Sequence, residues 1–268
     1  LFASILAGGM ARGEDLFETV ELAGTLIGAA MADAAEEKVP RNEGANYEKY
    51  LGMLIPGAEL EKFREARRIK MAEILYTYQD QVYVNLTNKC DCNCKFCIRM
   101  HHDTVGDAQT LWHKADPTLE EVKAAIDAYD FTGRSELVYC GYGEPTCALD
   151  VLNASAKYAK ETYGLKIRVN TNGLGNLYHQ RDIVPELAEV ADVVSISLNA
   201  PTKESYMEIT RPQFENAFEG MLAFAQECGK QIPKVKMTVV DVLTPEEIEA
   251  SRKLAESVDV ELRVRKYV

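Results

Sequence analysis

Hydrophobic positions change their spacing about seventy residues into the chain. Over residues 1–70 apolar side chains recur every three or four positions, as Leu16, Val20, Ala23, Ile27 and Ala30 do, and this spacing predicts helices. A loop is predicted over 38–47, where proline, asparagine and glycine occur together, and a charged helix over 59–72. The pattern therefore predicts a helical segment, 1–70, followed by a second domain, 71–268.

From Tyr76 onward, short runs rich in β-branched residues alternate with helical stretches, which is typical of parallel βα units. Six strands are predicted, at 82–87, 136–140, 166–171, 192–198, 234–241 and 260–266. Capping boxes, Thr118 with Glu121 and Thr244 with Glu247, predict where two of the intervening helices begin. Right-handed crossovers curl such a sheet toward a barrel, but a closed barrel needs about eight strands. We therefore predict an α/β fold, a partial (βα)6 TIM-like barrel with an N-terminal helical appendage.

Three of the predicted strands have one polar and one apolar face. The polar faces carry Arg168, Asn170 and Asn172 on the third strand, Ser195, Ser197 and Asn199 on the fourth, and Arg263 and Arg265 on the sixth. Helices normally cover the outer face of parallel strands, which suits the apolar rows. The polar rows then line the lumen and predict a polar ligand there; the alternative is that they face solvent.

Composition narrows the possible classes of function. The net charge of −12 and the pI near 4.9 disfavour a nucleic-acid partner. No apolar run approaches the roughly 20 residues that cross a bilayer, so we expect no membrane association and a cytoplasmic location. Seven cysteines, four of them crowded into one loop, are a poor disulfide scaffold. Metal binding is the class that this crowding favours.

The cysteine loop has a spacing suited to an iron-sulfur cluster. Cys90, Cys94 and Cys97 stand at Cys-x3-Cys-x2-Cys spacing, from which three thiolates can bind one cluster and leave its fourth iron without a protein ligand. Cys92 is expected to point elsewhere. A zinc-stabilised binding module is an alternative, but structural zinc sites usually pair two separated knuckles. An electron carrier is another, and it would need a fourth ligand such as Cys92.

A glycine-rich run follows the second predicted strand. In Gly141-Tyr142-Gly143-Glu144-Pro145-Thr146 the two glycines allow close backbone approach to a ligand, and Glu144 offers negative charge for an ammonium group. An ordinary glycine-rich turn is the simpler interpretation. Its place beside the cysteine loop, at the carboxyl ends of parallel strands, favours a functional role.

These two motifs resemble those of radical SAM enzymes, namely the CxxxCxxC cluster motif and a Gly-Gly-Glu motif in which Tyr142 replaces the middle glycine. Over 71–268 the chain is similar to the TatD-associated radical SAM proteins. The runs that carry this closer resemblance are 82–88, 97–99, 141–146, 170–176, 195–200 and 263–265.

The resemblance implies a role for each matching position. Cys90, Cys94 and Cys97 would hold a [4Fe-4S] cluster, and S-adenosylmethionine (SAM) would bind its open iron. Gly141, Gly143 and Glu144, with Tyr142 and Pro145 in the same motif, would receive the methionyl amine, and Phe96 would lie near the adenine. Amides and hydroxyls would reach the ribose or the carboxylate, namely those of Asn170, Asn172, Ser197 and Asn199. Arg263 or Arg265 would balance the cofactor carboxylate or hold an anionic substrate.

The chemistry that the resemblance implies is reductive cleavage of SAM to a 5'-deoxyadenosyl radical, which removes hydrogen from a substrate. The electron would come from a low-potential donor such as flavodoxin or ferredoxin. An open barrel leaves part of the shielding to the substrate, which favours a peptide or protein. A related alternative is an activase of a glycyl-radical enzyme.

Residues 1–57 resemble a different family. The runs 11–13, 41–44 and 47–49 are similar to the carboxyl-terminal helices of a pyridoxal kinase of the ribokinase class. The catalytic Gly-Asp motif of that family would lie upstream of Leu1, so kinase activity does not follow.

Overall fold

The structure is a computed structural model and describes residues 2–36, 47, 50, 51, 54, 72–100, 105–108 and 110–266. Its contacts divide the chain into two compact units, Leu1–Lys70 and Met71–Val268, and each is described by itself. The predicted loop at 38–47 and the predicted helix at 59–72 lie almost entirely outside the described residues.

Two packed helices form the described part of the first unit, α1 (Phe2–Ala11) and α2 (Leu16–Glu36). They approach closely because Gly9 has no side chain: a Cβ there would lie 2.4 Å from the Thr19 methyl carbon. Ile5, Ala23 and Leu26 form the core between them.

The periodicity identified α2 but placed part of its buried face wrongly. Leu16 and Val20 are exposed, whereas Thr19, Ala23, Leu26 and Ala30 are buried. Because Thr19 contacts Gly9 of α1, the buried face of α2 is shifted by one position from the face that Leu16 and Val20 predict.

The second unit is built on a seven-stranded sheet. Its strands are β1 (Leu75–Tyr78), β2 (Gln81–Val84), β3 (Glu136–Tyr139), β4 (Lys166–Thr171), β5 (Val193–Ser197), β6 (Lys234–Val240) and β7 (Glu261–Arg265). They lie side by side in chain order. The neighbours from β2 to β7 pair in parallel, and β1 pairs antiparallel with β2. The six parallel strands are those that the sequence predicts, which confirms the partial barrel.

The helices of this unit are α3 (Leu119–Ala128), α4 (Leu149–Tyr163), α5 (Gly175–His179), α6 (Val184–Ala188), α7 (Lys203–Thr210), α8 (Ala217–Gln231) and α9 (Pro245–Ser257). Short 3-10 helices cover Ile98–Met100 and Pro145–Ala148. Both predicted capping boxes are present, at Thr118 and Thr244. In the described part of the chain, no helix is long and apolar enough to span a membrane.

Strand β1 escaped the sequence analysis. It forms a hairpin with β2 through Gln79 and Asp80, whose φ angles are 47° and 61°. Two positive φ angles are usual for a tight hairpin turn, but glycine or asparagine normally marks them. The sequence therefore carried no strong turn signal at this place.

The two faces of the sheet differ as the alternation predicts. Val84, Ile167, Val194, Met237 and Leu262 belong to one core with residues of the covering helices. Their neighbours along each strand point to the opposite, concave face. That face carries the polar rows, and its carboxyl-terminal edge holds the two motifs.

Candidate active site

The four clustered cysteines lie in the loop that follows β2. The thiols of Cys90, Cys94 and Cys97 are free and half-buried, whereas Cys92 is free and buried. The Cys97 amide donates to the Cys94 carbonyl oxygen at 3.2 Å, which makes these two cysteines part of one tight turn. The loop therefore presents three partly accessible thiols from a short stretch of backbone.

Backbone hydrogen bonds hold one side of this loop against residues 209–213. The Asn93 amide donates to the Thr210 carbonyl oxygen at 3.0 Å, and the Lys95 amide donates to Ile209 at 2.9 Å. An isolated bridge pairs Cys92 with Pro212. The end of α7 thus fixes the position of the cysteines.

Residues 110–116 hold the other side of the loop. Asn88 donates its side-chain amide to the His113 carbonyl oxygen at 2.6 Å. Thr87 donates its hydroxyl to Asp116 at 2.8 Å, and the Lys89 ammonium lies 2.8 Å from the same carboxylate. Burial lowers the pKa of His113. The sequence analysis missed His113 and Asp116 because these partners are more than twenty residues away in the chain.

Both glycines of the motif are required by close packing of the two loops. A Cβ on Gly141 would lie 2.1 Å from Oδ1 of Asn85, and one on Gly143 would lie 2.2 Å from the Thr87 carbonyl oxygen. Real Cβ atoms do not approach oxygen so closely. Next to them, the Glu144 amide donates to the Lys89 carbonyl oxygen at 2.8 Å. The glycine loop is therefore joined directly to the cysteine loop.

Glu144 is buried and ties its loop to the end of β4. Its Oε1 accepts from the Thr171 hydroxyl at 2.7 Å and from the amide and hydroxyl of Thr146 at 3.1 and 2.8 Å. Its Oε2 accepts from the Asn172 amide at 2.8 Å. Burial raises the pKa of Glu144 to about 7, although the hydrogen bonds from Thr171 and Asn172 oppose the shift. Oε2 keeps a lone pair for a further donor.

Asn172 connects this carboxylate to the cysteine loop. Its side-chain amide donates to Oδ1 of Asp91 and lies 3.6 Å from the Cys92 sulfur. Asp91 is buried, and its Oδ2 has no partner among the described residues. Burial raises the pKa of Asp91. Asn172, predicted as a cofactor ligand, is thus the residue that joins both motifs.

The thiol of Cys92 lies beside two of the other thiols. Hydrogen bonds with Cys90 and Cys94, reinforced by burial, raise the pKa of Cys92. The same hydrogen bond from Cys92 lowers the pKa of Cys94, and burial raises the pKa of Cys97. Cys92 also belongs to the hydrophobic core.

Tyr142 and Pro145 are packing residues in this arrangement. Tyr142 is buried in a cluster with Tyr76 and Leu111, and its ring meets Trp112 edge-on with centroids 5.0 Å apart. Pro145 is buried at the start of its 3-10 helix. A contact of Tyr142 with a cofactor would therefore come from its backbone.

The remaining predicted residues lie at separate places around the concave face. Asn170 and Ser197 are half-buried on β4 and β5, and Oδ1 of Asn170 has no partner among the described residues. Asn199 is buried just beyond β5 with a φ of 64°. A positive φ at a residue other than glycine is strained and often marks a functional site. Arg265 is exposed at the end of β7, and Phe96 is half-buried in the cysteine loop.

The donor set suits an iron-sulfur cluster better than a preformed metal-ion site. In the part of the chain that the structure describes, no three histidine, cysteine, aspartate or glutamate side chains converge as a metal-ion site. The cysteine loop nevertheless offers three free, half-buried thiols, and thiolates are the ligands that such clusters require. The residues of the cysteine loop therefore fit an iron-sulfur cluster.

Comparison with known proteins identifies the family. Residues 84–255, more than half of the chain, match the model of the radical SAM superfamily, so the chain belongs to this superfamily. Members of the superfamily are enzymes that cleave SAM for radical chemistry, and this protein is an enzyme of that class.

The individual relatives are distant. S-adenosyl-L-methionine-dependent tRNA 4-demethylwyosine synthase from Danio rerio is 25% identical over 175 residues, which is 60% of this chain and 24% of that protein. The chain thus spans about a quarter of this curated relative.

Two solved structures are similar to this protein in fold. Streptococcus suis SuiB bound to S-adenosylmethionine has a TM-score of 0.50 at 15% identity, over 93% of this chain and 54% of that one. Methylornithine synthase (PylB) has a TM-score of 0.48 at 14% identity, over 76% of this chain and 57% of that one. At such low identity, only the fold follows from the likeness to SuiB.

Proposed function

We propose that the protein cleaves SAM reductively at a [4Fe-4S] cluster held by Cys90, Cys94 and Cys97, and that it removes hydrogen from a peptide or protein substrate. The observation that carries the proposal is the direct junction of the two motifs. Glu144 donates its amide to Lys89 in the cysteine loop, and Asn172 joins Glu144 to Asp91 between the first two cysteines. These hydrogen bonds fix the two motifs relative to each other, so both could hold one cofactor.

When bound, the cluster and SAM would supply an electron and a 5'-deoxyadenosyl radical. Glu144, which keeps a free lone pair on Oε2, would accept a hydrogen bond from the methionyl ammonium. Asn170, Ser197 and Asn199 would donate to the ribose or the carboxylate, and Phe96 would pack near the adenine. Asn172 and Asp91 would act by positioning the cysteine loop.

The concave face supports the substrate part of the proposal. Its polar residues on β4 and β5 are half-buried, Arg263 and Arg265 on β7 are exposed, and the described helices pack on the other face. A substrate with its own bulk would exclude water from this face, because positioning and shielding are what the protein contributes to radical chemistry. A low-potential donor such as flavodoxin or ferredoxin would deliver the electron. A glycyl-radical partner enzyme is one such bulky substrate.

The test is formation of 5'-deoxyadenosine. Protein reconstituted anaerobically with iron and sulfide is reduced with dithionite and given SAM. Wild type is expected to form the nucleoside, and Cys94→Ala is expected to form at most about a hundredth as much, since two thiolates cannot hold the cluster. Cys228→Ala, which changes a thiol buried in α8, is the matched control and should behave as wild type. Equal yields from wild type and Cys94→Ala would refute the proposal.

An iron-sulfur electron carrier with four cysteine ligands is the alternative function. It is raised by Cys92, because the Cys92 thiol contacts those of Cys90 and Cys94. Membership in an enzyme superfamily argues against it. Cys92→Ala decides between the two, since a carrier would lose its cluster and the proposed enzyme would keep it.

A further inference from the structure

Two arginines on the last strand carry positive charge that no described side chain neutralises by direct contact. Arg263 and Arg265 are exposed, and neither guanidinium has an ion-pair or hydrogen-bond partner among the described residues. Other cations of the same face are paired: Arg168 lies 3.0 Å from Glu136, and Lys236 lies 3.0 Å from Glu261.

The spacing of the two arginines suits one anion. They are two positions apart on β7, so both point to the concave face, with Cα atoms roughly 7 Å apart. Like charges on one face of a strand repel each other. Guanidinium groups bind carboxylate and phosphate with paired hydrogen bonds, and two of them can close on a single such group.

The residues in register with the arginines provide further polar groups. Thr238 is the direct neighbour of Arg263, and Ser197 is the neighbour of Thr238 on the next strand. Deeper on the same face, Nε of Arg168 and Oδ1 of Asn170 are enclosed without a partner among the described residues. Enclosed polar atoms without partners are rare in folded proteins and indicate a missing ligand or water.

The positive charge of Arg265 affects the pKa of a thiol at the end of another strand. Burial raises the pKa of the Cys140 thiol at the end of β3, and after a hydrogen bond from Asn170 the main opposing effect is the positive charge of Arg265. Cys140 follows a strand four positions away in the sheet. The Arg265 guanidinium therefore lies within electrostatic reach of the end of β3.

Along the sheet, this pair lies on a different strand from those that lead into the two motifs. The cysteine loop follows β2, whereas the arginines lie on β7, at the opposite end of the parallel part of the sheet. A group bound there would lie on the wall facing the cysteine loop. This place suits the far end of a substrate better than the methionyl carboxylate, which must reach the cluster.

We propose that the substrate carries a carboxylate or phosphate group, and that Arg263 and Arg265 bind this group on the concave face. The inference rests on the proposed function, because it names the substrate class of the same site. On this inference, the two arginines determine which substrates the enzyme accepts.

Anion binding tests the inference without knowledge of the substrate. Inorganic phosphate and succinate are titrated calorimetrically into wild type, the double variant Arg263→Gln/Arg265→Gln, and the control Arg252→Gln at constant ionic strength. Arg252 is an exposed arginine of α9, 3.6 Å from Glu249 and away from the concave face. We expect the double variant to bind the preferred anion at least tenfold more weakly and the control to stay within twofold of wild type. Equal binding by wild type and the double variant would overturn the inference.

A second measurement separates the substrate from the cofactor. SAM binding to reconstituted protein should change less than twofold in the double variant, because the inference assigns both arginines to the substrate. A tenfold loss of SAM affinity would assign the arginines to the cofactor carboxylate and refute the inference alone. Absence of 5'-deoxyadenosine from the wild type would refute the proposed function, whatever the anion titration gives.

Discussion

Gly143→Ala tests whether the motif glycines serve the contact between the two loops. The new Cβ would lie 2.2 Å from the Thr87 carbonyl oxygen and 2.6 Å from that of Lys89. Ordinary carbon-oxygen contacts are about 3.3 Å or longer, so one loop must move by about 1 Å. Both contacts are with backbone atoms, which no side-chain rotation can relieve.

The expected cost has two parts. Forced overpacking of this kind costs about 1–3 kcal/mol. The shift also strains the hydrogen bond from the Glu144 amide to Lys89, 2.8 Å long, whose loss costs about 1 kcal/mol. We therefore expect the free energy of unfolding to fall by about 2–4 kcal/mol. Since the cysteines move with Lys89, iron retained after reconstitution should fall as well.

Urea unfolding of the cluster-free protein and iron analysis after reconstitution measure the two effects. Gly229→Ala is the matched control: its Cβ would lie 3.7 Å from Val260, an ordinary contact, within helix α8. Replacing a helical glycine by alanine should stabilise the protein by about 0.5–1 kcal/mol. If Gly143→Ala unfolds within about 0.5 kcal/mol of wild type and retains its iron, the explanation of the motif by loop contact is wrong.

Three further predictions concern neighbouring residues. Cys92→Ala should retain its iron, with a 5'-deoxyadenosine yield within about twofold of wild type. Asn172→Ala should lower the free energy of unfolding by about 2–3 kcal/mol in urea, because it leaves the buried carboxylate of Asp91 without its donor. Burial raises the pKa of Glu144 from its ordinary 4.5 to about 7, so between these values the native state holds a proton that the unfolded chain has lost. The free energy of unfolding of the cluster-free protein should therefore fall by up to about 3 kcal/mol as pH rises through this window, and Glu144→Gln should lack this fall.

Each of these predictions has a contradicting outcome. Loss of iron from Cys92→Ala would make this cysteine a ligand. Unchanged unfolding of Asn172→Ala would show that the contact with Asp91 stabilises nothing. A pH profile that is the same for wild type and Glu144→Gln would mean that another group titrates.

The sequence was sufficient for the six parallel strands because each of them repeats a local signal. Runs such as 166–171 and 234–241 alternate or concentrate β-branched residues, and the structure places β4 and β6 there. The family resemblance of the motifs is confirmed by the match over 84–255. The closer similarity to TatD-associated proteins stays a prediction.

The contacts that build the site could not be predicted from local patterns. Asp91, His113 and Asp116 belong to no motif, and their importance comes from partners that are 25 to 81 residues away in the chain. The position of Asn172 between the motifs likewise depends on how β4 ends beside the cysteine loop. Such roles can be recognised only when the fold is known, because hydrogen bonds between separate strands produce no periodic pattern in the sequence.

The most direct test of the central claim is the electron paramagnetic resonance spectrum of the reduced cluster, recorded with and without SAM. A cluster held by Cys90, Cys94 and Cys97 alone has an iron that SAM can bind, so the g values of the wild type should shift when SAM is added. A spectrum unchanged by saturating SAM, as a cluster with four cysteine ligands would give, would contradict the account.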